Sequence, residues 1–190
     1  MKRPKHKQNI QSTTIPLPAN HPWKAPDGYK IVVLERGLVS FNVPEKWHVA
    51  KMEPFELHDG LPPNDNARLT TSFWRLPMGV DWSGLPLDKL LVDSTRDSKM
   101  KLLAKSELFR VNRPGMELVW VEHRFEDTEN NNREAYTRIA VARGWNVQVL
   151  ITFDFWVDEL AKFEPAWDEV IRSLTLGRYI QDPTKPPLDH

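Results

Sequence analysis

The sequence predicts an α+β domain in which an antiparallel β-sheet of about six strands is sandwiched between helices. Three observations lead there. Between residues 117 and 155 three runs alternate apolar and polar positions, with short connections between them. From Pro165 onward the apolar residues recur at helical spacing instead. Proline-rich, aperiodic stretches over residues 1–28 and 181–190 frame the patterned region.

Residues 1–28 hold five prolines (Pro4, Pro16, Pro18, Pro22 and Pro26) and read as a flexible basic tail. A single domain is expected over 29–180, and residues 181–190 read as a second flexible tail. Tyr29–Leu34 is a short β-branched run closed by the turn signal Glu35-Arg36-Gly37. Leu38–Val43 places Val39, Phe41 and Val43 on one face and Ser40 and Asn42 on the other. Residues 53–67, with Pro54, Gly60, Pro62 and Pro63, read as a loop, and Leu69–Leu76 as a third strand. A second loop, 77–85, carries Trp82. Pro86 then suits the first turn of a helix, where its missing N–H costs nothing. Leu87, Leu90 and Leu91 share a face there, and the helix is expected to run to Lys99.

The middle third alternates most clearly. Glu117–Phe125 sets Val119, Val121, His123 and Phe125 against Leu118, Trp120, Glu122 and Arg124. A polar connection, Asp127–Arg133, contains three consecutive asparagines, which tolerate positive φ. Glu134–Arg143 and Trp145–Phe155 complete an antiparallel meander. The last helix is expected to start at Pro165, because a proline inside a helix removes a backbone hydrogen bond. Trp167, Val170, Ile171 and Leu174 follow at helical spacing, and Gly177 stands where a C-cap glycine is expected.

A chain of 190 residues suits one domain with tails. Its 26 Lys and Arg equal its 26 Asp and Glu. That balance argues against a nucleic-acid binder, which usually carries a basic excess. There is no cysteine, hence no disulfide, thiolate ligand or cysteine nucleophile. No apolar run after Met1–Lys7 has signal length, and none is long enough to span a membrane. If Met1 is the native start, the expected compartment is the cytoplasm.

The chemistry-bearing patterns are sparse. The six histidines (His6, His21, His48, His58, His123 and His190) include no pair at zinc-helix spacing. Glu122 and His123 are adjacent on a strand and so point to opposite faces. Neither phosphate-cradle motif nor a Gly-x-Ser-x-Gly elbow occurs. Asp93 and Asp97 stand four apart on the expected central helix, where a solvated face beside Arg96 and Lys99 explains them. No catalytic residue, metal or cofactor is therefore expected.

The candidate partner-binding residues are Trp82, Asp154, Asp158 and Glu159. An aromatic residue on a Pro/Gly-bearing loop, such as Trp82, can anchor a partner or fold back over the core. Residues 154–169 hold six acids against one base, Lys162, whereas the chain through residue 30 holds six bases against Asp27. The acids read either as a helix entry favoured by the dipole or as an acidic recognition surface beside Trp156 and Trp167.

The order of elements carries a resemblance. A short strand, the segment Phe41-Asn-Val-Pro-Glu-Lys-Trp47, a central helix, a three-strand meander and a final helix with Val170-Ile-Arg-Ser-Leu174 follow one another. This resembles the PsbP-like superfamily, in which a Phe-x-x-Pro-x-x-Trp turn and an Ile-x-x-Ser-Phe/Leu ending recur. The matching residues are Phe41, Pro44 and Trp47, then Ile171, Ser173 and Leu174, whose order departs slightly from that ending. The resemblance spans roughly residues 30–177. It implies an antiparallel sheet between helices, and it lowers the expectation of an enzyme, since most characterised members bind proteins. It carries over no functional residue by position.

The resulting expectation is a non-enzymatic protein-binding domain: an adaptor, chaperone or assembly factor whose partner is another protein. Two readings of other kinds compete. One is a small-molecule binder or enzyme using a cleft under loops 53–67 and 77–85, which convergent polar groups would betray. The other is a structural homo-oligomer.

Overall fold

The structure is a computed structural model that describes residues 13–17, 19–82, 85–95, 101–180, 182 and 185. Among them the chain forms β1 (Tyr29–Leu34), β2 (Val39–Pro44), β3 (His48–Met52), β4 (Phe55–His58), β5 (Ala67–Arg75) and α1 (Leu87–Thr95). There follow β6 (Lys101–Lys105), β7 (Phe109–Arg113), β8 (Met116–Asp127), β9 (Arg133–Gly144), β10 (Val147–Trp156), α2 (Leu160–Ser173) and β11 (Thr175–Leu176). The expected end of α1 at Lys99, like Asp97, lies outside the described residues.

These strands build two antiparallel sheets. The small one has the order β1-β2-β11, and the large one runs β3-β4-β5-β10-β9-β8. β6 and β7 pair in turn with β8 on its outer edge, opposite residues 123–126 and 116–120. Eleven strands therefore replace the expected six or so. The extra ones escaped notice for a physical reason. β3 and β6 are exposed, so they lack the buried-exposed alternation that marks a strand. β4 lies inside the expected 53–67 loop and has four residues, Phe55–His58.

The large sheet buries both faces. On one, Leu69, Leu118, Val149, Ile151 and Phe153 meet Val39, Phe41 and Val43 of the small sheet and Phe163, Trp167 and Val170 of α2. On the other, Leu87 and Leu91 of α1 cover Val119, Ile139 and Val141. Burying each of these large side chains contributes about 1.5–3 kcal/mol. The meander β8-β9-β10 stands where the alternation put it. The asparagines at its first turn also behave as expected, with Asn131 at φ 56° and Asn132 at φ 58°.

Two details of the last helix correct the sequence reading. α2 begins at Leu160, five residues before Pro165, after a 3₁₀ turn over Val157–Glu159. Pro165 therefore sits inside the helix and gives up one backbone bond. The extra turn brings Phe163 against Phe153 and Phe155, with ring centroids 6.1 and 5.9 Å apart, and that burial outweighs the lost bond. Gly177 is not the C-cap, because α2 ends at Ser173 and Leu174 is already extended. It follows β11 at φ 73°, where an added Cβ would lie 2.8 Å from Cγ of Trp145. Close approach, together with positive φ, is what requires glycine there.

The two short patterns that carry the resemblance meet in space. Phe41 and Trp47 are buried in the main core. The Asn42 amide beside them donates to Oγ of Ser173 at 2.7 Å, and that hydroxyl donates to the Glu169 carbonyl at 2.6 Å. The side chain of Asn42 donates in turn to Oε1 of Glu169 at 2.6 Å. α2 is thereby bolted along β2.

Candidate functional site

The most distinctive surface feature is a groove of about 1740 Å³ where the two sheets diverge. Its walls include β1, the residues Thr71–Arg75 of β5, Val49 and Met52 of β3, Tyr179, and the N-terminal segment around Thr13–Leu17 and Trp23. Register explains why both strands are open here. The Glu45 amide donates to the Gly28 carbonyl at 2.8 Å, so the hydrogen-bonded pairs between β1 and β2 are those in step with Gly28 and Glu45. Lys30, Val32 and Leu34 thus bond to β2, and Ile31 and Val33 aim their N–H and C=O the other way, into the groove.

β5 shows the same alternation. Leu76 donates to the Asn146 carbonyl at 2.7 Å, which assigns its even-numbered residues to β10. Asp59 donates to the Ala67 carbonyl at 3.2 Å, which assigns the odd-numbered ones to β4. β4 begins with Phe55, opposite Thr71. Phe73 and Arg75 therefore project their backbone groups beyond the end of β4. Among the described residues, the N-terminal segment meets these strands through one backbone bond, from the Tyr29 amide to the Pro26 carbonyl at 3.0 Å, which leaves Ile31, Val33, Phe73 and Arg75 without a backbone partner from that segment.

The groove mixes apolar and charged groups. Trp74 and Tyr179 are about half exposed on its wall. Its charged side chains are Lys24, Lys30, Arg36 and Arg75 against Glu35 and Glu53. Lys30 is committed to the fold, since its Nζ donates to the Glu45 carbonyl at 2.8 Å and also to the carbonyl of Trp47. Burial pushes its pKa down, partly opposed by the charge of Glu45.

The residues singled out from sequence fall elsewhere and apart. Trp82 is half-buried in the loop between β5 and α1. Both ends of that loop lie by the β9–β10 turn, since Arg75 faces Val147 and Arg143 donates to the Leu85 carbonyl at 3.0 Å. Asp154 faces Arg68 near the opposite end of β5, and Asp158 and Glu159 form the 3₁₀ turn into α2. The structure brings these three acids to one end of the sheet and leaves Trp82 at the other. Each acid has a cation: Asp154 with Arg68 at 2.8 Å, Asp158 with Arg133 at 2.9 Å, and Glu159 with Lys162 at 3.3 Å. The Arg133 guanidinium also stacks on Trp156, 4.4 Å from its ring centre. Loops 53–67 and 77–85 extend largely from opposite ends of β5, and of the two only Glu53, Pro54 and Phe55 line the groove.

The histidines with described partners serve the fold. His58 Nδ1 pairs with Asp65 at 2.7 Å, and buried His21 accepts the Trp23 amide at 3.1 Å. His123 is buried on the α1-side face, where burial and then Lys105 push its pKa down. Among the described residues no cluster of three His, Cys, Asp or Glu could hold a metal, and no helix is long and apolar enough to cross a membrane.

Sequence reasoning missed the groove because an open strand edge is a tertiary property. The one usable signal was Trp74, a large aromatic on the face of its strand opposite Leu69 and Phe73.

Comparison with known proteins adds family and fold. The family model named Alr1449 matches residues 30–180, and the chain belongs to that family. An uncharacterised protein, alr1449, of a Nostoc species is 44% identical over 181 residues, covering 94% of each chain. Among solved structures, the PsbP protein CyanoP of Synechocystis superposes with a TM-score of 0.52 at 13% identity, covering 80% of this chain and 95% of that one. LpqN of Mycobacterium tuberculosis, described as involved in cell envelope biogenesis, gives 0.53 at 12% identity, covering 77% and 89%. The fold is thus PsbP-like, as the short patterns at Phe41–Trp47 and Ile171–Leu174 implied.

Proposed function

We propose that this Alr1449-family chain is a non-enzymatic binding protein that holds an extended segment of a partner protein in the groove between its two sheets. The observation that carries the reading is the pair of open strand edges, Ile31 with Val33 and Phe73 with Arg75, on one groove wall system. An unpaired edge presents N–H and C=O groups at every second residue and serves as a template for another strand. Addition of a peptide strand supplies affinity through main-chain bonds and specificity through alternate side chains. Each such bond contributes about 0.5–1.5 kcal/mol. The groove is long enough for several of them, with Val49, Trp74 and Tyr179 offering apolar contact to the side chains.

Proline substitution tests this directly. Ile31→Pro removes an N–H that points into the groove and leaves the β1–β2 ladder intact, a placement that edge strands tolerate. Val32→Pro removes a ladder donor instead. With a blocked Val-Thr-Val-Thr-Val peptide as probe, Ile31→Pro is expected to keep its fold and lose binding. Val32→Pro is expected to melt lower. Undiminished binding by a folded Ile31→Pro chain would overturn the reading.

A further inference from the structure

We infer that the segment taken up by the groove is acidic, alternating apolar residues with Asp or Glu. The inference rests on the groove reading above and specifies the chemistry of its occupant. Two arginines, Arg36 and Arg75, line the groove, and a third, Arg178, directly precedes the lining residues Tyr179 and Ile180. Arg36 directly follows β1 and is held by its own carbonyl, which accepts the Ile180 amide at 2.8 Å. Arg178 belongs to the same corner, because its carbonyl oxygen lies 2.0 Å from where a Cβ on Gly37 would stand. Arg75 closes β5 beside it. The chain leads there through Gly177, which packs on Trp145, and the next residue, Asn146, accepts the Leu76 amide at 2.7 Å.

All three arginines are exposed, and none pairs with a carboxylate among the described residues. Elsewhere on this chain exposed arginines do find carboxylates: Arg68, Arg110, Arg124 and Arg133 each pair within 3 Å. Among the described residues that line the groove, the acids are Glu35 and Glu53. Arg75, the last residue of β5, lines the groove wall beside Phe73 and Trp74. A strand laid along β1 or β5 would present every second side chain to this corner, where a carboxylate can engage a guanidinium in bidentate fashion.

The test uses the full chain and three blocked peptides, Val-Glu-Val-Glu-Val, Val-Thr-Val-Thr-Val and Val-Lys-Val-Lys-Val, titrated by fluorescence anisotropy at low and high salt. The Glu peptide is expected to bind about tenfold tighter than the Lys peptide at low salt, the size that two or three surface ion pairs supply. That gap should shrink in high salt. Arg36→Glu combined with Arg75→Glu should invert the order, and a circular dichroism spectrum confirms that the double variant is folded. Equal binding of all three peptides would overturn the charge preference and leave the groove reading standing. If none binds, the groove reading fails and the preference falls with it.

Discussion

Trp167 sits at the junction of α2, the large sheet and β7, and replacing it measures what holds the sandwich together. Its side chain is fully buried, stacked 6.0 Å from Phe153 and edge-on to Trp120 at 5.5 Å. Its indole N–H finds no partner among the described residues, so packing alone carries its contribution. Truncating a buried tryptophan to alanine costs about 3–5 kcal/mol. The two ring pairs account for part of that, about 0.5–1.5 kcal/mol each. Set against a domain stability of about 5–15 kcal/mol, Trp167→Ala removes about a fifth of the total or more. The melting temperature should fall by about 6–20 °C, at about 2–4 °C per kcal/mol for a chain of this size. Urea denaturation followed by far-ultraviolet circular dichroism gives the loss directly, with an unchanged slope as the check on two-state unfolding. Reversal of Asp158 and Glu159 to lysine is the control, since exposed pairs contribute only about 0–1 kcal/mol each. A Trp167→Ala chain that melts within 2 °C of the parent, about one residue's surface effect, would refute the packing argument.

Other substitutions probe separate links. Ser173→Ala leaves the Asn42 amide without its acceptor and should cost about 1–3 kcal/mol by urea titration. Gly177→Ala forces a Cβ into the Trp145 ring at positive φ and should cost at least about 1 kcal/mol, with near-ultraviolet circular dichroism reporting the displaced indole. His123 supplies a pH dependence with a definite sign. Burial and Lys105 lower its folded pKa, so below about 6.5 the unfolded chain binds more protons than the native one. Its contribution is present above that pH and is lost as pH falls through it. Stability measured at pH 7.5 and pH 5.5 should differ less in His123→Gln than in the parent chain, and an undiminished difference would contradict the assignment.

Legibility followed burial. The meander was readable because β8, β9 and β10 are long runs rich in buried apolar residues, separated by the polar Asp127–Arg133 connection and by Gly144, and Trp167, Val170 and Ile171 marked α2 by their spacing. Pro165 misplaced its start because the local cost of a proline is visible in sequence, whereas the pocket that receives Phe163 is not. Gly177 misled in the opposite direction: its positive φ was anticipated, but its cause is a tryptophan 32 residues earlier. The acids at 154–159 drew attention as a charge run, and their neutralising partners Arg68 and Arg133 come from distant strands. The groove lies furthest from sequence, because whether Phe73 has a neighbour on its second side depends on where β4 stops.

Amide exchange at the two strand edges tests the central claim most directly. In the free chain the Ile31, Val33, Phe73 and Arg75 amides should exchange fast, while Lys30 and Val32, bonded to β2, should exchange slowly. With saturating Val-Glu-Val-Glu-Val, the account predicts slowed exchange at Ile31 and Val33 or at Phe73 and Arg75, in that every-second-residue pattern. Protection confined to β6, β7 or the 154–159 turn, with both edges still exchanging freely, would contradict it.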